Sequence, residues 1–148
     1  MSLSGASLAG GCLCGAARYE VSAVPLVSCH CHCSLCRRAS GAPFVTWTTV
    51  PVGSFRWTRG APEAYRSSPW ATRFFCGACG SALLFQVDAQ AESADGTLDV
   101  ASATLDDPGA IVPTAHIWVT ARLPWPDLPQ DGLARFDQDL PPGWRGPA

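Results

Sequence analysis

Eight consecutive positions hold four cysteines and two histidines, in the order Cys29-His30-Cys31-His32-Cys33-Ser34-Leu35-Cys36. A hydrophobic core has no use for such a density of thiols, because core residues are spread along elements at the period of a helix or a strand. The other four cysteines form two further pairs, Cys12 with Cys14 and Cys76 with Cys79, so all eight fall into three tight groups. A fold for this chain must gather those groups around a disulfide, a metal or a reactive thiol.

The compartment decides among these. Residues 1–10 carry no basic segment followed by an apolar one, and no window reaches the roughly 18 apolar residues of a membrane span. The chain is read as cytoplasmic, where clustered cysteines are metal ligands or catalytic thiols more often than disulfides. A disulfide framework in an exported chain is the alternative.

With 148 residues, 47% of them hydrophobic and 15% charged, the chain is long and apolar enough for one domain with its own core. Its net charge of −2, carried without a single lysine, gives no basic patch, so nucleic acid is not expected as a partner. Seven thiolates holding two zinc ions would add −7 + 4 = −3, so the folded protein would carry about −5. An anionic substrate would then need local arginines.

Composition along the chain reads as a β-meander. Residues 1–9 are small and polar, and Gly10-Gly11 is expected to break any regular pattern there. Alternation predicts strands at 16–21 and 55–58, with another near Tyr65-Arg66, and Phe44–Val50 is the strongest β pattern. Pro25–Ser28 leads a further strand into the cysteine cluster, and 37–43 reads as a short helical turn closed by Gly41 and Pro43. Strands at 70–75 and 81–86 flank Cys76-Gly77-Ala78-Cys79-Gly80, and two more are read at 98–103 and 116–119, separated by the turn Asp106-Asp107-Pro108-Gly109. Pro, Asp and Gly dominate after Pro124, predicting a coil at 129–148 that packs on the same domain, with Trp125, Leu128, Phe136 and Trp144 as its apolar anchors. No internal repeat and no long helix is expected.

Spacing assigns chemistry to the groups. In an extended strand residues i and i+2 share a face, so Cys12 and Cys14 present two thiolates together. Cys76-x-x-Cys79-Gly80 supplies a second pair in a turn whose amides favour thiolates, and four sulfurs of this kind close a tetrahedral structural zinc site. The competing reading is buried apolar cysteines with a redox pair at Cys76 and Cys79, but a dithiol of that type opens a helix, and none is visible here. Cys31-x-Cys33-x-x-Cys36 offers three thiolates and no certain fourth ligand, the pattern of a reactive zinc.

Cys29, His30 and His32 are candidates to fill or guard the fourth position. If the cysteines face inward, the histidines alternate outward and are bystanders more often than ligands. Cys29 is in phase with Cys31 and Cys33 and is left open. Arg37 and Arg38 offer bidentate pairing to substrate carboxylates or, equally, form a solvated surface pair. His116 reads as a hydrogen-bonded structural histidine, and Trp47, Trp57, Trp70 and Trp118 as core.

The order Gly11-Cys12-x-Cys14-Gly15, Cys31-His32-Cys33-Ser34-x-Cys36-Arg37-Arg38 with Ser40-Gly41-Ala42, Phe75-Cys76-x-x-Cys79-Gly80 and His116-Ile117-Trp118 resembles the glutathione-dependent formaldehyde-activating enzyme family. That family also includes the centromere protein V domain. The similarity spans residues 8–128. It implies a mainly β fold, an Mss4-like β-tent of small antiparallel sheets stapled by zinc, with one structural metal on Cys12, Cys14, Cys76 and Cys79. It also implies a second zinc on Cys31, Cys33 and Cys36 as the catalytic centre.

Cys29 is a departure from the family motif. The implied activity is carbon–sulfur lyase chemistry on a small thiol substrate such as glutathione, joined to formaldehyde as S-hydroxymethylglutathione, with Arg37 or Arg38 pairing with its carboxylates. Two other readings stay open: a non-catalytic zinc-stabilised binding module with a saturated second cluster, and a thiol or aldehyde sensor that uses Cys29.

Overall fold

A computed structural model of the chain describes residues 7–125 and 130–147. Its strands in chain order are β1 Leu8–Gly11, β2 Arg18–Val21, β3 Val27–Cys31, β4 Val45–Pro51, β5 Phe55–Arg59, β6 Glu63–Ser68, β7 Ala71–Phe75, β8 Ala82–Val87, β9 Thr97–Ala101, β10 Ala115–Ile117 and β11 Ala134–Arg135. One helix, α1, covers Ser34–Ser40, and four 3-10 turns fill short connections. The fold is mainly β, as the alternation predicts.

The strands form a three-stranded sheet, β1-β2-β5, and an eight-stranded sheet, β11-β10-β3-β4-β9-β8-β7-β6. The larger sheet is antiparallel except at one end, where β10 runs parallel to both β3 and β11. That end departs from the expectation of small antiparallel sheets. The parallel pairing arises because long connections, not hairpins, bring β10 and β11 back beside β3.

Cross-strand register sorts the large sheet into two faces, since residues directly opposite share a face. One face carries Val50 opposite Leu98, Val100 opposite Leu84, and Leu84 opposite Phe74. It packs against Leu8, Tyr19, Val21, Phe55 and Trp57 of the small sheet to form the main core. Each fully buried aliphatic side chain there stabilises the fold by about 1.5–3 kcal/mol. The other face carries a continuous row: Thr49 opposite Asp99, Asp99 opposite Phe85, Phe85 opposite Arg73, and Arg73 opposite Tyr65.

Gly10-Gly11 does not break the chain; both residues lie in β1, paired with Tyr19 and Arg18. The glycine is required by a close approach: a Cβ on Gly10 would fall 2.3 Å from Tyr19 Oη and 2.5 Å from the Thr104 carbonyl oxygen. Tyr19 itself is buried, hydrogen-bonded to Thr104 Oγ1 at 2.8 Å and stacked on Phe55. Burial pushes its hydroxyl up to about 12. So β1 is held by packing that its composition does not advertise.

The expected strand at 116–119 stops at Ile117, because Trp118 takes the left-handed conformation, φ 57°, and caps a 3-10 turn at Val119–Ala121. Likewise the 98–103 strand ends at Ala101 and turns into Ser102–Thr104. Of the C-terminal anchors, Phe136 and Trp144 meet each other edge-to-face at 5.4 Å and pack against the cluster containing Trp47 and Ile117. Trp125 is exposed, and Leu128 lies outside the described residues. No described helix is long and apolar enough to cross a membrane.

Candidate active site and metal clusters

Cys12 and Cys14 sit just beyond β1, in a turn and not in the extended strand their spacing suggests. Gly15, at φ +77°, makes that turn possible, and the Cys12 and Ala17 backbones close it with a hydrogen bond of 3.0 Å. The Ala17 amide also donates to Cys12 Sγ at 3.2 Å, and this bond holds the Cys12 thiol below its ordinary value. Cys76 and Cys79 occupy the corner between β7 and β8. There the Gly80 amide donates to the Cys76 carbonyl at 2.7 Å and Gly80 takes φ +76°.

These two turns meet where the small sheet joins the large one. The Leu13 amide donates across the junction to Ser81 Oγ at 3.0 Å, and Ser81 Oγ lies 3.2 Å from Cys79 Sγ. The Ser81 hydroxyl and amide hold the Cys79 thiol down at about 5. All four sulfurs lie within 4.8 Å of one another.

The donor set fits zinc. Four sulfurs at about 2.3 Å from a tetrahedral ion are separated by about 3.8 Å from each other. Cys12 Sγ to Cys14 Sγ measures 3.6 Å and Cys14 Sγ to Cys76 Sγ 3.8 Å.

The second cluster is built on the other edge of the same architecture. Cys31 ends β3, Cys33 is the residue before α1, and Cys36 lies in the first turn of the helix, buried. Cys33 Sγ accepts the Cys36 amide at 3.2 Å, which fixes the Cys33 sulfur against the first turn of the helix. The helix then ends at Ser40 with Gly41 in the left-handed conformation, starting earlier than the 37–43 turn expected from sequence.

The three sulfurs also lie within 4.8 Å of one another, and among the described residues no other histidine, cysteine or carboxylate joins the group. Hydrogen bonds from Cys31 and Cys36 pull the Cys33 thiol down to about 2, while the same interaction drives Cys31 upward. Three thiols this close favour sharing a cation over ionising separately, because neighbouring thiolates repel.

Cys29 shares the face of Cys31 but lies outside the three-sulfur group; desolvation holds its thiol well above its ordinary value. His30 and His32 project to the opposite face, as alternation requires, yet that face is covered too. His32 is fully buried, with Nε2 2.9 Å from His116 Nδ1, and His116 Nε2 lies 2.9 Å from Asp131 Oδ2. His30 Nδ1 pairs with Thr46 Oγ1 at 2.8 Å. The histidines therefore form a structural array behind the cluster. Desolvation lowers His32 to about 4, keeping it neutral.

In front of the second cluster opens a cleft of about 1710 Å³. Its floor is the row Thr49, Asp99, Phe85, Arg73 and Tyr65, and its walls include Trp47, Trp70, Arg38 and Trp144. Arg38 lines the cleft, whereas Arg37, one position earlier on the helix, does not, and its Nε is buried without a hydrogen-bond partner among the described residues. Trp47 is core, while Trp70 is 43% exposed on the cleft wall.

Arg73 and Asp99 are the cleft residues that sequence reasoning missed. Arg73 Nη2 donates toward Cys36 Sγ at 3.8 Å, and its guanidinium carbon lies 4.8 Å from the centre of the Phe85 ring. Asp99 accepts from Thr49 Oγ1 at 2.6 Å.

The sequence profile described as "Glutathione-dependent formaldehyde-activating enzyme" matches residues 7–121. The chain belongs to that family. The glutathione-dependent formaldehyde-activating match takes in both cysteine clusters, the α1 arginines and His116.

A curated relative, an uncharacterized lyase of Schizosaccharomyces pombe, is 35% identical over 77 residues, which are 51% of this chain and 55% of that protein. The chain thus matches little more than half the length of that relative. Among solved structures, the crystal structure of a Rhodobacter sphaeroides protein superposes with a TM-score of 0.54 at 24% identity, covering 86% of this chain and 98% of that one. That likeness bears on the fold.

Proposed function

We propose that this protein is a zinc-dependent enzyme of the carbon–sulfur lyase type, acting on the adduct of a small thiol with an aldehyde. S-hydroxymethylglutathione, from glutathione and formaldehyde, is the substrate its family description suggests. The observation that carries the reading is the three-sulfur group of Cys31, Cys33 and Cys36, which lines an open cleft. The four-sulfur group is saturated by its own ligands and suits a structural zinc.

When bound at the three-sulfur group, zinc lowers the pKa of a thiol beside it. The rest is the work of the cleft. Cys36 and Cys33 are fixed by the first turn of α1, so the reacting sulfur meets a preset geometry. Arg73, stacked on Phe85 beside Cys36, adds positive charge where the thiol becomes anionic. Arg38, on the cleft wall, is placed to meet a carboxylate of the substrate.

In the forward direction the sulfur forms a bond to the aldehyde carbon and the C=O π pair moves to oxygen. That oxygen receives the proton the thiol gives up, so nothing else is consumed.

Metal analysis and kinetics test this. The purified protein should contain two zinc ions, and it should accelerate adduct formation from glutathione and formaldehyde. Cys33→Ala should retain one zinc and lose the acceleration. Two tightly held, non-exchanging zincs with no acceleration would overturn the proposal in favour of a binding module.

A further inference from the structure

The last described segment of the chain wraps one edge of the large sheet. Asp131 lies behind β3, with Oδ2 2.9 Å from His116 Nε2. Ala134 then pairs with Ala115 in β10, in the same row as Cys29, so the chain rounds the edge and passes to the cleft face. There Phe136, Leu140 and Trp144 pack against the cluster of buried side chains that includes Cys29, Cys31 and Cys36. The segment lies beyond residue 121, where the family match ends.

Its front part, residues 138–145, is stiff within itself and weakly held to the rest. Pro142 and Gly143 form the centre of a turn: proline fixes φ near about −65°, Gly143 takes φ +79°, and the Trp144 amide closes on the Pro141 carbonyl at 3.0 Å. The Leu140 amide donates to Asp139 Oδ1 at 2.7 Å. Among the described residues, every hydrogen bond of residues 139–145 stays inside the segment. Neither Asp139 nor Arg145 makes an ion pair among the described residues. What holds this part down is the packing of Leu140 and Trp144.

At its root the Trp118 amide donates to the Gln138 carbonyl at 3.1 Å. Among the described residues Trp118 is the one non-glycine with left-handed backbone, φ 57°, a conformation that costs free energy an extended residue does not pay. A firm anchor behind the sheet is thus set against a weak, strained hold in front. The sulfurs beneath the weak part are shut away although they line the cleft, with Cys31 4% and Cys36 6% exposed.

We infer that residues 138–145 are a lid over the three-sulfur group, which swings off as a unit beyond β11 while Asp131 stays bound to His116. Opening breaks the Trp118–Gln138 hydrogen bond, withdraws Leu140 and Trp144, and uncovers Cys31 and Cys36. Segments with few buried contacts open at free energies well below that of global unfolding. The lid governs access to the sulfurs whether or not the cleft carries out the lyase step.

Native-state hydrogen exchange by NMR, at a series of low urea concentrations, tests the opening in the unmodified chain. The Trp118 amide should exchange faster than the Phe136 amide, which donates to the His116 carbonyl at 2.9 Å on the anchored side. Its rate should depend little on urea, because lid opening exposes little surface, whereas amides of β4 and β9 should show the full dependence of global unfolding. Alkylation by iodoacetamide, mapped by mass spectrometry, tests what lies beneath. At matched metal content, Trp144→Ala should speed modification of Cys31 and Cys36 by about tenfold, the scale of losing one packed aromatic pair, and leave Cys12 and Cys76 unchanged.

A Trp118 amide that exchanges only through global unfolding overturns the inference, as do unaltered rates at Cys31 and Cys36 in Trp144→Ala. Equal acceleration at Cys12 and Cys76 marks general destabilisation and overturns it too. Should Trp144→Ala fail to fold, exchange at Trp118 in the wild type decides alone.

Discussion

Arg73 Nη2 stands 3.8 Å from Cys36 Sγ, joining β7, the strand next to one edge of the large sheet, to the three-sulfur cluster across the cleft. The contact is charge-selective: a guanidinium favours a thiolate over a thiol. Arg73→Gln should therefore weaken zinc binding at Cys31, Cys33 and Cys36 by about tenfold at neutral pH, the equivalent of one pKa unit on one ligand. The four-cysteine site, at the junction of the two sheets, should be unaffected. Competition with a chromogenic chelator, resolving a weak and a tight zinc, measures both.

The four-cysteine group links the β1–β2 turn to the β7–β8 corner, so its loss should undo the docking of the small sheet on the large one. Cys76→Ala should abolish the tighter zinc and lower Tm by roughly 10–20 °C, given about 2–4 °C per kcal/mol for a chain of this size and several kcal/mol from a structural metal. Cys33→Ala should shift Tm much less, because Cys33 lies at the mouth of an open cleft. Thermal unfolding followed by circular dichroism distinguishes the two variants; equal losses would sink the division into structural and reactive clusters.

The cysteine groups were legible because residues able to share one metal leave a local trace, spacings of two and three residues beside glycines. Trp47 and Phe44–Val50 were legible for a similar reason, since β-branched and aromatic residues run together there. The row of Asp99, Phe85 and Arg73 was not. Its members lie on three strands and meet only through cross-strand register, which one sequence does not reveal. His32 shows the limit of alternation: it predicts which face a side chain takes, but not that His116 and Asp131 return from more than 80 positions later to cover that face.

Gly10 illustrates the same gap on the stability side. Its place beneath Tyr19 Oη and the Thr104 carbonyl leaves no room for a methyl group. Gly10→Ala should cost about 1–3 kcal/mol, as overpacking at a closed site does. Gly53→Ala, where nothing lies within 4 Å of a new Cβ, should be close to neutral and serves as the comparison in urea unfolding.

Asp99 gives a prediction of how stability depends on pH. Burial first, and the neighbouring Asp139 and Asp95 after it, push its carboxyl up to about 6, against the Thr49 hydrogen bond that lowers it. An acid whose pKa is raised by folding favours the native state when protonated. That favour is complete below the unfolded value near 4 and is lost as pH rises through about 6.

Above pH 6 the ionised Asp99 therefore burdens the fold. Asn keeps an acceptor for Thr49 Oγ1 and removes the charge. Asp99→Asn should thus be more stable than the wild type at pH 7.5, by up to about 3 kcal/mol for a shift of about two pKa units and less where the cleft admits water. The advantage should shrink as pH falls from 6 to 4. Denaturant unfolding of both proteins across that range checks it.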